Sequence, residues 1–338
     1  MKHFYLVFKR HILIPILIGD FFKPWHFLIS ILRFKFFNYP YSAMIEIGNT
    51  CNLQCPTCPT PRQKILRKKE LMSFSNFILT IDSIKNSIHV VYLYYTGEPL
   101  IHPDICKMIN YVHQKNLYSI ISTNATLLDQ KIADELLFSG LDEIILCLDG
   151  ITQESFSSFR KKADFFEVMR NIGYFCKQKQ RLKLKKPFIK LQVILNKLNQ
   201  NEIRGIKKLS DCLKVDCLHI KSLALCEHVY SKDEIKKLAD IFFPDGKEYK
   251  DKIRYKQENH KLIINNPPSK CSLAESQFVV LVDCKISMCC YDLNGNYIYG
   301  NILAEKFDDI WFNSDVKKVR ELANEKKHSL CKVCSNFI

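Results

Sequence analysis

The 338 residues contain no long apolar run, no low-complexity tract and no internal repeat. Those absences exclude a polytopic membrane protein, a disordered chain and a repeat array. Acidic side chains are scarce at the start, where residues 1–40 carry six Lys or Arg against Asp20 alone. The opening residues also lack the apolar core and small-residue cleavage site of a secretory leader, because Lys9, Arg10, Lys23, Arg33 and Lys35 interrupt them. A cytoplasmic protein is expected. The apolar stretches 12–19 and 24–32 fall well short of the roughly 20 residues that span a bilayer. Residues 1–42 therefore read as a basic amphipathic segment that either lies on an anionic membrane surface or caps the domain that follows. No nucleic-acid motif accompanies the basic runs 62–69 and 177–186, so they read as solvated faces and no nucleic-acid partner is expected.

What is abundant is cysteine. The chain has fifteen, a formal charge of +15, 47% hydrophobic and 25% charged residues. This is a globular composition, and the cysteines crowd into two places rather than pairing along a short secreted chain. Such grouping favours metal ligation in a reducing compartment.

From residue 43 short β-rich runs alternate with helical patterns, which predicts a parallel sheet with crossover helices. Strands are expected at 43–47, 90–95, 119–123, 143–148, 189–195 and 217–221. Helices are expected at 74–84, 105–114, 130–138, 165–176 and 202–213, with Gly140 closing one of them. Six units predict an α/β fold, a partial (β/α)6 TIM barrel, with a small C-terminal cysteine-rich domain. In such barrels chemistry gathers where strands end. The expected division is 1–42, a barrel over 43–222, a helical and charged linker over 223–267, and a tail over 268–338.

The first strand runs into Cys51, Cys55 and Cys58, a C-x3-C-x2-C spacing within one loop. Thiolates so close suit zinc, copper(I) or an iron–sulfur cluster. Structural zinc wants a fourth ligand, and the loop has none. Four irons held by three cysteines leave one iron open to a cofactor.

This loop resembles the signature of radical SAM enzymes. The resemblance implies a 4Fe-4S cluster on Cys51, Cys55 and Cys58 whose open iron binds S-adenosylmethionine. It further implies reductive cleavage to a 5′-deoxyadenosyl radical that takes hydrogen from a substrate. Thr57 stands where the family usually has a bulky residue near the adenine. Thr96, Gly97, Glu98 and Pro99 are similar to the family's Gly-Gly-Glu-Pro turn, with Glu98 expected near the methionine ammonium group. Ser122 and Asn124 resemble the segment facing the ribose or methionine, and Asp149 with Arg160 fits the pattern at the barrel mouth, where Cys147 replaces the usual serine. Asn196 and Asn199 are available to line that mouth, and His102 reads as a packed or loop histidine.

The tail, with Cys271, Cys284, Cys289, Cys290, Cys331 and Cys334, is similar to the SPASM domain. The resemblance implies one auxiliary 4Fe-4S cluster on Cys271, Cys289, Cys331 and Cys334. Cys290 should face away from Cys289, and Cys284 occupies a turn position where the family has glycine, leaving it a strained structural residue or another ligand. The implied enzyme acts on a peptide, sugar or small metabolite, with an external electron donor such as a flavodoxin or ferredoxin. The contrasting reading is a non-catalytic zinc or iron–sulfur protein built for interaction.

Overall fold

The computed structural model describes residues 2–246, 249, 253–258, 261–265, 267–332 and 334. Helix α1 (Lys2–Phe8) passes through a π-helical turn into α2 (Ile14–Leu17), and α3 (Phe22–Phe37) folds back beside it. The barrel follows as β1 (Ser42–Ile45), α4 (Phe74–Ile84), β2 (Val90–Tyr92), α5 (Ile105–Gln114), β3 (Tyr118–Thr123), α6 (Gln130–Phe138) and β4 (Glu143–Cys147). It continues with α7 (Gln153–Phe159), α8 (Phe165–Arg181), β5 (Phe188–Leu195), α9 (Ile203–Cys212) and β6 (Cys217–Ser222). These six strands pair parallel and in chain order. The fold is the expected partial α/β barrel.

Local sequence accounts for the elements. In α4, Phe77, Thr80, Ile81 and Ile84 fall on one buried face at helical spacing, and the Ser73 hydroxyl accepts from Asn76 N at 3.2 Å to cap the start. Gly140 has φ +89° just beyond α6, where a side chain would also collide with His113. Strand β4 is buried throughout, because helices cover one face and the barrel interior the other. Its Ile144 and Leu146 pack under the helices, whereas Ile145 and Cys147 turn inward with Val90, Tyr118, Ile120 and Tyr92.

The segment after β6 departs from a plain linker. It holds α10 (Lys232–Phe242) and an antiparallel hairpin, β7 (Tyr255–Glu258) with β8 (Lys261–Ile264). High charge hides the hairpin from sequence pattern alone; part of the predicted linker lies outside the described residues. The tail forms α11 (Leu273–Ser276), β9 (Gln277–Val280), β10 (Lys285–Ser287), β11 (Ile298–Asn301), α12 (Phe307–Trp311), α13 (Ser314–Asn324) and α14 (Ser329–Lys332). Its strand β9 pairs parallel with β1, Ala43 opposite Phe278, so the tail extends the barrel sheet to nine strands.

The N-terminal helices close the end of the barrel where the strands begin. Arg10 donates to Glu143 at 2.8 Å, Lys23 to Asp142 at 2.5 Å, and His11 stacks on Phe27 at 4.9 Å and lies 4.4 Å from the Tyr118 ring. Burial, reinforced by the Arg10 charge, pushes the His11 imidazole down to about 3, and its Nδ1 lies 3.2 Å from His89 Nε2. A histidine held neutral this way stabilises the fold fully above its unfolded value near 6.5. That contribution is lost progressively as pH falls from there toward about 3. Between pH 7 and pH 5 His11 should cost about 1–2 kcal/mol. A His11→Phe variant should show a correspondingly smaller drop in urea midpoint over that range, and an unchanged drop would contradict the assignment.

Candidate active site

The candidate site occupies the opposite end, where the strands finish. Glu46 follows β1 and is fully buried. Arg67 donates to it through Nη1 and Nη2 at 2.5 and 2.7 Å, Val282 N donates at 3.1 Å, and the Thr96 hydroxyl donates as well. Arg67 also donates from Nε to Leu293 O at 3.0 Å. One carboxylate thus ties the start and end of the cysteine loop, the exit of β2 and the tail. Sequence reading missed this pair, because nothing local marks a glutamate and an arginine 21 residues apart as partners.

The loop seats on Gly97. A Cβ there would lie 2.4 Å from Gly48 O and 2.7 Å from Thr50 O, both backbone atoms that cannot move aside. Glu98 N donates to Thr50 O at 2.8 Å. The glycine is required by this close approach. Pro99 is buried in the short 3₁₀ turn that follows.

Glu98 is buried and its carboxylate already accepts from Thr123 Oγ1 at 2.7 Å, Leu100 N at 3.1 Å and Asn124 N at 2.9 Å. Burial raises its proton affinity despite these donors. Its visible work is to lock the exits of β2 and β3 together. Asn124 sits over the loop, with Nδ2 3.9 Å from Cys51 Sγ and 3.0 Å from Asn52 Oδ1. Ser122 Oγ lies 3.6 Å from Cys147 Sγ, on the inner face. Thr57 is buried within the loop.

Asp149 accepts from Arg160 Nε at 2.5 Å and from Ile194 N at 2.5 Å, and Arg160 Nη1 reaches 3.9 Å from Cys55 Sγ. Burial disfavours the Arg160 charge, but Asp149 and Cys55 outweigh it and hold the guanidinium protonated. Asn196 and Asn199 are buried in the turn after β5, Asn199 donating to Asp149 O at 3.0 Å, so they shape the mouth from beneath. His102 donates from Nε2 to Met72 O at 2.9 Å and accepts Asp104 N at Nδ1, a packed structural histidine.

The thiols of Cys51, Cys55 and Cys58 are free, and burial pushes the Cys51 thiol up to about 12. In the tail, Cys271, Cys289, Cys331 and Cys334 pack against one apolar cluster of Ala274, Met288, Tyr291, Ala323 and Leu330. Cys226 joins that cluster, a residue the sequence offered no reason to single out. Cys284 does not; it is fully buried at φ +65°, with Thr80 donating to its sulfur at 3.8 Å, so it is a core residue in a left-handed turn. Among the described residues no group of three or more His, Cys, Asp or Glu is arranged to hold a single metal ion. The donor set fits a cluster that brings its own irons and sulfides: thiols only, three on the loop and five, Cys226 included, around the apolar cluster of the tail, with N–H donors from Arg160 and Asn124 beside two sulfurs.

These features define a cluster-binding partial barrel with its mouth at the strand ends. Comparison with known proteins agrees: a model of the radical SAM superfamily matches residues 45–208, and one of an iron–sulfur cluster-binding domain, SPASM, matches 271–335. The chain belongs to the radical SAM superfamily and carries a SPASM domain, which makes 4Fe-4S clusters and S-adenosylmethionine its cofactors. It is 30% identical over 156 residues to Fe-coproporphyrin III synthase of Methanosarcina barkeri, covering 46% of this chain and 37% of that protein. It is 28% identical over 115 residues to PqqA peptide cyclase of Gluconobacter oxydans, covering 34% and 32%. The matched stretches thus span only about a third of those relatives. Streptococcus suis SuiB bound to S-adenosylmethionine superposes with a TM-score of 0.62 at 15% identity, covering 95% of this chain and 78% of that one, a likeness of fold.

Removing one member of a buried ion pair leaves an uncompensated charge and costs about 3–5 kcal/mol. Arg67→Leu should therefore lower stability by that order. The double variant Glu46→Gln with Arg67→Leu should recover part of the loss in urea unfolding. Equal stability of Arg67→Leu and the parent would contradict the anchoring role.

Proposed function

We propose that Cys51, Cys55 and Cys58 hold the cluster that binds S-adenosylmethionine, and that Cys271, Cys289, Cys331 and Cys334 hold an auxiliary four-iron cluster. The observation that carries this reading is the convergence of the three-thiol loop, Asn124 and the Asp149–Arg160 pair on one mouth. When bound, the cluster supplies an electron for reductive cleavage of S-adenosylmethionine, giving a radical that takes a hydrogen atom from the substrate.

The protein's own residues do the rest. Gly97 lets the loop pack close, and Glu98 holds two strand exits in register. Arg160, fixed by Asp149, places a positive charge beside the Cys55 sulfur and offsets the negative charge that thiolates and sulfides bring. Ser122 and Asn124 present polar groups toward the cofactor. Tyr92, Tyr94 and Cys147 give the interior an apolar lining that excludes water.

Beside the loop an open cavity of about 430 Å³ has an apolar wall of Pro56, Leu198, Leu238, Ile241 and Phe242 and a polar rim of Arg62, Ser158, Lys161, Glu234 and Lys237. Its three bases against one acid support a substrate with an anionic part, whether peptide, sugar or small metabolite. Glu234 pairs with Lys64 at 2.9 Å and with Arg62 at 3.5 Å, so the excess positive charge of the cavity rests on Lys161 and Lys237. An external one-electron donor completes the reading.

Cys55→Ala should abolish reductant-driven formation of 5′-deoxyadenosine, whereas Cys334→Ala should retain part of it. Equal retention in both variants would overturn this division of labour between the two thiol sets.

A further inference from the structure

Arg10 and Lys23 of the N-terminal helices point inward while most of the large apolar side chains around them face outward, the reverse of an ordinary surface helix, and Lys35 stays exposed among those apolar groups. Arg10 and Lys23 spend their charge on Glu143 and Asp142, and Lys9 lies 3.7 Å from Asp216. On α3 only Lys23, Pro24, Phe27 and Ser30 are buried. Among the described residues, fifteen of the twenty-nine exposed large hydrophobic side chains lie between Tyr5 and Phe37. Trp25 is 65% exposed, Phe21 67% and Phe22 73%, and the turn adds Ile16, Leu17 and Ile18. A contiguous exposed apolar face of this kind marks an interaction surface.

Charge around the face identifies the occupant. The turn between α8 and β5 lies on the same end of the barrel, where Lys186 lines a small cavity together with Ile18 and Asp20 of the helical turn. Residues 177–190 carry seven Lys or Arg and no acid, and Arg181, Lys183 and Lys185 are exposed. The only acid among residues 1–40, Asp20, accepts from Lys23 N at 3.1 Å. An aromatic-rich apolar face bordered by unopposed lysines matches the interface of an anionic bilayer. No described helix is long and apolar enough to cross a membrane, and α3 has 16 residues, so the segment would lie in the plane of the interface.

We propose that the outer face of residues 5–37, with the basic turn 181–186 beside it, seats this protein on the surface of an anionic lipid bilayer. The barrel mouth, at the other end of the strands, then opens into the aqueous phase, where a soluble electron donor and a water-borne substrate reach it. A substrate embedded in the same leaflet would be on the wrong side.

The test uses the full chain with vesicles of phosphatidylcholine alone or mixed with phosphatidylglycerol. Binding is read by flotation and by tryptophan emission. Of the two tryptophans, Trp311 is fully buried, so a blue shift on binding reports Trp25. Flotation with the anionic vesicles and the shift of Trp25 are expected. Binding should fall roughly fivefold for each of Lys183→Gln and Lys185→Gln, and at least about tenfold for Phe21→Ser with Phe22→Ser. Iron content and cofactor cleavage should be unchanged in all three variants, which separates this proposal from the catalytic one. Absence of the chain from both floated fractions would overturn it. So would a dimer in vesicle-free solution that Phe21→Ser with Phe22→Ser disperses while vesicle binding is absent, since the face would then join two copies.

Discussion

A carboxylate buried in protein must find a positive partner and enough donors, or it is not tolerated. Glu46 meets that requirement with Arg67, Thr96 and Val282, and in doing so determines how the functional end of the molecule is assembled. Arg67 can reach it only if the cysteine loop turns back after Cys58. Thr96 brings the β2 exit and Gly97 under that loop, and Val282 brings in the tail, whose β9 lies along β1. The loop and the tail that carry the two thiol groups are therefore tied through one continuous sheet, β1 pairing with β9.

Much of this was legible in the residues. Helices α4, α5 and α6 match their predicted spans residue for residue, because apolar spacing and caps are local signals. Strands agree within a few residues; β2 ends at Tyr92, short of the predicted 95, since the chain leaves the sheet to form the Gly97 turn. The three-thiol loop and the residues at strand exits were visible because short spacing and strand-end position are written in sequence. The long-range pairs were not. Glu46–Arg67, Arg10–Glu143 and the parallel pairing of Ala43 with Phe278 join residues whose partnership depends on the closed fold. The inward turn of Arg10 and Lys23 was likewise hidden, since a count of bases says nothing of which way they face.

The two ends of the barrel carry different physics. At the strand starts, buried ion pairs and neutral histidines hold a helical plug against the interior. At the strand ends, thiols and backbone oxygens gather, and Arg160 is braced by Asp149 against a cysteine sulfur. That separation is what allows the proposed attachment at one end to leave the other undisturbed.

The central claim is that the seven named cysteines hold two four-iron clusters. Anaerobic reconstitution of the full chain followed by iron and acid-labile sulfide counting tests it most directly. About eight irons and as many sulfides per chain are predicted, falling by about half on joint replacement of Cys51, Cys55 and Cys58 by alanine. Tightly bound zinc without labile sulfide would contradict it.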